Sequence, residues 1–158
     1  MIVTLTRAEF MTALGVAARR QLANRELGNQ HHHGASMENT WDMEIEGAAG
    51  EMAVAKGLGI YWNGAIGDWK ADDVGQLQVR TTKYDDGCLI LHKSDPADKV
   101  FILAVGTAPT FRLAGWIVAK DGMKDSHWKD PTGRGRFAYF VPQSALFRNV
   151  RHLDLKLP

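Results

Sequence analysis

The chain has little cysteine: Cys88 is alone among 158 residues, which excludes an internal disulfide framework. Its setting in Cys88-Leu89-Ile90-Leu91 marks the thiol as a small core residue rather than a nucleophile. Long apolar runs are also missing. None reaches the roughly 18 residues that a bilayer span needs, and the first residues lack a basic stretch followed by an apolar one. Both absences set the expectation of a cytoplasmic protein with no membrane partner. There is no Gly-x-Ser-x-Gly elbow and no zinc-ligand spacing, and Gly133-Arg134-Gly135 alone is too short to cradle a nucleotide phosphate.

What is present is a globular composition, with 45% hydrophobic and 23% charged residues. The length suits one domain. The expected layout is a single unit over 1–158, with a core over about 41–119 and a basic extension over 120–158. The net charge of +1 hides an asymmetry. Residues 1–111 hold 10 Lys/Arg against 14 Asp/Glu, a balance of −4, whereas residues 112–158 hold 9 against 4, a balance of +5. Acids to hold a cation and bases to hold phosphates would divide in this way; an uneven solvated surface would as well.

Thr6-Arg7-Ala8-Glu9 reads as a capping box. Phe10, Leu14, Ala17, Ala18 and Leu22 follow at helical spacing, which predicts a helix to about Arg25. Residues 28–39 read as a polar loop. A second helix is expected over 41–57, rich in Gly and Ala, with Glu44, Ala48, Glu51 and Ala55 on one stripe. A Gly- and Trp-rich loop over 60–72 leads into four strands, at 75–82, 88–92, 99–106 and 111–119. Asp85-Asp86-Gly87 predicts that the first two form a hairpin. The two-sided apolar run Val100-Phe101-Ile102-Leu103-Ala104-Val105 predicts a central strand. A polar loop over 122–136 and a short helix starting near Pro142 complete an α/β, or α+β, fold. Its mixed sheet has four or five strands, with the first two helices packed against it.

The chemistry gathers in Asp73-Val74-Gly75-Gln76-Leu77-Gln78-Val79-Arg80, preceded by Gly50-Glu51 on the second helix. Side chains alternate along a strand, so Gln78 and Arg80 share one face and Leu77 and Val79 the other. Polar groups on a core strand cost about 1–3 kcal/mol each if left unpaired. A metal-and-phosphate site satisfies them, and so does a purely structural network.

A helical Glu, then an Asp, then an acid or Gln, any residue and a base, in that order, resembles the PD-(D/E)XK nuclease superfamily, the restriction-endonuclease-like fold. The similarity covers about 41–119, and Gly115-Trp116 in the last strand also resembles its small phage-type members. The resemblance implies a nuclease acting on DNA, with Glu51, Asp73, Gln78 and Arg80 as catalytic residues. It implies Mg²⁺ or Mn²⁺ on Asp73, Glu51, Gln78 and the Val79 carbonyl, a host-cytoplasm location if phage-encoded, and a homodimer wherever two strands must be cut. Gln78 replaces a carboxylate and Arg80 replaces a lysine. An arginine keeps its proton, so Arg80 can bind phosphate but not act as a base.

Three further features stand outside this motif. His31, His32 and His33 invite a metal reading, but adjacent loop residues cannot all aim at one ion, so a surface loop is expected. His92 is a strand-end histidine that reaches the Gln78 side if the hairpin forms. Lys124, Lys129, Arg134 and Arg136, interleaved with His127, Trp128 and two glycines, suit contact with nucleic acid through phosphates and stacked bases. The same composition suits an exposed loop.

Overall fold

Strand β4 (Val100–Thr107) has five consecutive buried residues, Phe101 to Val105, as its two-sided apolar run requires. The structure, a computed structural model, describes residues 1–26, 37–66, 71–150 and 153. Elements follow in the order β1 (Ile2–Thr4), α1 (Arg7–Glu26), α2 (Met37–Leu58), β2 (Leu77–Thr82), β3 (Leu89–Leu91), β4, β5 (Thr110–Val118), α3 (Ala119–Gly122), β6 (Trp128–Lys129) and β7 (Ala138–Val141), with single 3-10 turns at Asp125–His127 and Gln143–Ala145. The class is mixed α and β.

The main sheet has four strands in the order β1-β5-β4-β2. Strand β2 runs parallel to β4, whereas β4/β5 and β5/β1 are antiparallel. Helices α1 and α2 cover one face, with Ala13, Ala17, Ala49 and Val54 packed over Leu77, Val79, Ile102 and Ala104. The other face carries Phe101, Leu103 and Val105, closed by Leu89, Leu91 and Val141 of a second, three-stranded sheet, β3-β7-β6. A bulge carries β5 between these layers. Leu103 faces Gly115 while Ala104 faces Leu113, so Ala114 is the extra residue. The one-residue slip exchanges faces, putting Leu113 on the helix side and Ile117 on the other.

Several expectations change. The turn at 85–87 forms, with Gly87 N–H donating to the Tyr84 carbonyl at 2.9 Å, but β2 and β3 do not make a hairpin. Strand β3 pairs with β7 and β2 with β4, because the apolar Leu89 and Leu91 complete the layer beneath Phe101. Strands β1, β6 and β7 were not anticipated, being two to four residues long. Through them, segments on both sides of 41–119 join the sheets. The capping box is realised: Thr6 N–H donates to Glu9 Oε2 at 2.6 Å and Glu9 N–H to Thr6 Oγ1 at 3.3 Å. The buried stripe of α1 is rotated from the expected one, comprising Ala13, Val16, Ala17, Gln21 and Asn24, while Leu22 is 54% exposed. Small residues win that face because α2 packs tightly against it. The loop expected at 28–39 is cut short by α2, which starts at Met37; its earlier part, including His31, His32 and His33, lies outside the described residues.

Candidate functional site

Residues 73–80 turn sharply at the outer edge of the main sheet. Leu77 N–H donates to the Val74 carbonyl at 2.9 Å, closing a four-residue turn whose second residue, Gly75, has φ of 60°, a conformation that favours glycine. Asp73 N–H then donates to the Leu77 carbonyl at 3.0 Å. The chain doubles back so that Asp73 runs alongside β2, and its Oδ2 accepts the Val79 N–H at 2.7 Å. Strand β2 has β4 on one side only. The N–H and C=O of a strand residue point the same way, so the Val79 carbonyl also faces the free edge, beside Asp73. Arg80 Nη1 lies 3.4 Å from that carbonyl oxygen.

Helix α2 brings a second carboxylate to the same place. Gly50 faces Thr81, and a methyl group at Gly50 would collide with the Thr81 hydroxyl, so the glycine sets the close approach of α2 to β2. The next residue, Glu51, is buried, with 6% of its surface exposed. Arg20 of α1 grips it bidentately, Nη1 to Oε1 at 2.6 Å and Nη2 to Oε2 at 2.9 Å, and Trp62 Nε1 donates to Oε2 at 3.0 Å. Arg20 Nε also donates to the Ala65 carbonyl at 2.9 Å. Burial pushes the Arg20 pKa down, but the Glu51 hydrogen bonds and the charges of Glu51, Asp73 and Glu44 more than offset this and leave it raised.

Asp73 stands apart electrostatically. Burial first, and then the negative Glu51, push its pKa up from 3.8 to about 6, against the lowering pull of the Val79 N–H, Arg80 and Arg20. The neighbouring acids each hold a cation: Glu51 has Arg20, Asp95 has Arg80 at 3.1 Å, and Asp72 has Lys99 at 2.6 Å. Among the described residues, Asp73 has no ion-pair partner.

Of the four residues singled out from the sequence, Glu51 and Asp73 thus come within electrostatic reach of each other, with Val79 between strand edge and acid. Gln78 and Arg80 lie on the opposite face of β2 from Val79, each tied to its own acid. Gln78 Nε2 donates to Asp72 Oδ1 at 2.9 Å. Arg80 donates through Nη2 to both Asp95 oxygens at 3.1 and 3.2 Å and through Nε to the Ile90 carbonyl at 3.2 Å, over the Phe101 ring at 4.8 Å. His92 lies at the end of β3, away from any β2 hairpin, and its N–H donates to Asp95 Oδ2 at 2.9 Å. A cleft of about 550 Å³ opens between α2 (Asp42, Glu46, Glu51) and the β2 edge (Val79, Arg80, Lys83). Lys124, Lys129, Arg134 and Arg136 are exposed on and around the β6–β7 hairpin, and none of them lines this cleft.

Sequence reasoning missed Arg20, Trp62 and Asp95. Arg20 had a signal: it continues the 13-17-20-24 spacing of the buried face of α1, where a charge demands a partner. Asp95 sits in a turn, with its own N–H donating to the His92 carbonyl at 3.0 Å, and nothing local tied it to Arg80.

Among the described residues, no group of three or more His, Cys, Asp or Glu side chains is placed to hold a metal. The donors for a hard cation are the Asp73 carboxylate and the outward Val79 carbonyl. Mg²⁺ commonly takes one or two carboxylates and keeps several waters, so this pair fits such an ion. Glu51, with both oxygens engaged, fits only as a neighbour. No family model, curated protein or solved structure matches the chain.

Proposed function

We propose that the chain is a metal-dependent nuclease of the PD-(D/E)XK type, with a restriction-endonuclease-like fold, that cleaves phosphodiester bonds in DNA. The observation that carries this reading is the partly buried Asp73 carboxylate, without an ion-pair partner among the described residues, next to the Val79 carbonyl at the sheet edge, which takes only a long 3.4 Å hydrogen bond from Arg80. Its raised pKa marks a carboxylate whose charge is unfavourable until a cation arrives. A bound Mg²⁺ or Mn²⁺ would supply an activated water and offset charge on the phosphoryl oxygens. The turn closed by the Val74–Leu77 bridge supports the reading by carrying Asp73 back alongside β2, where its carboxylate accepts the Val79 N–H.

The protein's own residues divide the remaining work. Asp73 and the Val79 carbonyl hold the ion. Arg20 and Trp62 hold Glu51 in place beside the site through hydrogen bonds to both of its oxygens. Arg80 offers a permanently charged donor fork to phosphate by exchanging its bonds to Asp95. No arginine here takes a proton from water, so a bound ion would have to lower the pKa of its water far enough for bulk solvent to accept the proton. Gln78 braces Asp72.

The same geometry favours a second reading, a catalytically degenerate nucleic-acid- or protein-binding module. Arg80, Gln78 and Glu51 all have internal partners, as in a settled structural network. Plasmid and single-strand cleavage with Mn²⁺ separates the two. The nuclease reading expects nicking that Asp73→Asn abolishes, by at least about a thousandfold if the cation is lost, with the circular dichroism spectrum unchanged. Full-rate cleavage by Asp73→Asn ends the nuclease reading, and no cleavage by the wild type favours the module.

A further inference from the structure

Beyond the cleft, the small sheet carries an aromatic group of which Tyr139 packs against the core beneath the main sheet. Trp128 on β6 stacks with Phe137 at 5.6 Å between centroids and 18° between planes, and meets Tyr139 of β7 at 4.6 Å. Lys93 lies over the Trp128 ring at 4.4 Å. Phe137 is 52% exposed. One half-exposed phenylalanine on a surface is ordinary; here the ring is already ordered by stacking on Trp128, whose ring also meets Lys93.

The β6–β7 loop is built, not slack. Asp130 accepts at Oδ1 from Thr132 N–H (3.1 Å) and Oγ1 (2.7 Å), and at Oδ2 from Gly135 N–H (2.6 Å). These bonds hold the Asp130 pKa down and fix a loop whose exposed side chains include Arg134, with Lys129 and Lys124 exposed nearby. The segment after β3 links this platform to the candidate active site. Within one four-residue turn, His92 to Asp95, Lys93 touches Trp128 and Asp95 holds Arg80.

We infer that the Trp128–Phe137 pair is a base-stacking platform for single-stranded DNA, feeding a strand toward Arg80. A ring face ordered on one side accepts an unpaired base on the other. The surrounding ammonium and guanidinium groups meet the phosphates, in keeping with the balance of +5 over 112–158. In duplex DNA the base faces are already stacked, so the platform selects unpaired strands. Rings and cations contact bases and phosphates, which DNA offers in full without a 2′-hydroxyl. This deepens the nuclease reading and rests on it for the choice of DNA.

The test is fluorescence anisotropy in EDTA, where no cleavage can occur, with labelled 12-nucleotide probes: single-stranded DNA, the same strand with abasic sites, the duplex, and the RNA strand. The wild type is expected to bind the single strand about tenfold more tightly than the abasic strand or the duplex. Phe137→Ala is expected to lose about the same factor on the normal strand and nothing further on the abasic one, whereas Phe137→Tyr restores binding. Equal binding of normal and abasic strands by the wild type, tighter binding of duplex or RNA, or an unaffected Phe137→Ala overturns the platform. Asp73→Asn run in parallel keeps the two proposals apart. Stacking without any Mn²⁺-dependent cleavage retains the platform and removes the nuclease, and cleavage insensitive to Phe137→Ala does the reverse.

Discussion

Glu51 and Asp73 are carboxylates in one electrostatic neighbourhood, yet their surroundings differ. Glu51 is bound by a bidentate arginine and an indole N–H, so its charge is compensated within the fold. Asp73 receives one backbone N–H and feels burial and Glu51 as penalties. On the function we propose, the contrast separates a brace from a ligand. Loss of a brace costs stability, whereas neutralising a poised carboxylate gains stability and loses function.

The largest expected effect on stability comes from breaking the brace. Glu51→Gln leaves the largely buried Arg20 guanidinium without its counter-charge and is expected to cost about 3–5 kcal/mol, read by urea denaturation. Combining it with Arg20→Met is expected to recover most of that loss, because both charges are then gone. If Glu51→Gln were as stable as wild type, the two carboxylates would be equivalent and the contrast would fail.

The effect on the other acid has the opposite sign. The Asp73 carboxyl binds protons more tightly folded (about 6) than unfolded (3.8), so stability is highest when it is protonated and falls as pH rises from about 4 to 6. The two-unit shift corresponds to up to about 3 kcal/mol. Asp73→Asn, whose amide oxygen still accepts the Val79 N–H, is expected to melt several degrees higher than wild type at pH 8 and to match it near pH 4. A variant less stable than wild type at pH 8 would make Asp73 a structural acid.

The smallest effect belongs to Gln78. Gln78→Ala removes one hydrogen bond to Asp72, which keeps Lys99, and is expected to cost about 1 kcal/mol while leaving Mn²⁺ affinity unchanged. A tenfold weaker affinity would restore Gln78 as a ligand.

Much of this was legible in the sequence where the physics is local. The capping box, the two-sided apolar run of β4 and the motif 73–80 depend on neighbours along the chain. The pairing of β3 with β7 was not legible, because β7 is four residues long and its partner lies about fifty positions earlier. The family resemblance singled out Glu51 and Asp73, and the structure brings the two acids within electrostatic reach of each other. Their unequal electrostatics depended on Arg20, supplied by a different helix, and on Gly50, whose missing side chain sets how closely α2 meets β2.

The most direct measurement is anomalous diffraction from Mn²⁺-soaked crystals at neutral pH. The account predicts one peak at the free edge of β2, about 2.0–2.3 Å from an Asp73 oxygen and in contact with the Val79 carbonyl, with the Arg20–Glu51 pair intact. The absence of a peak there, or a peak held by Glu51 without Asp73, would contradict it.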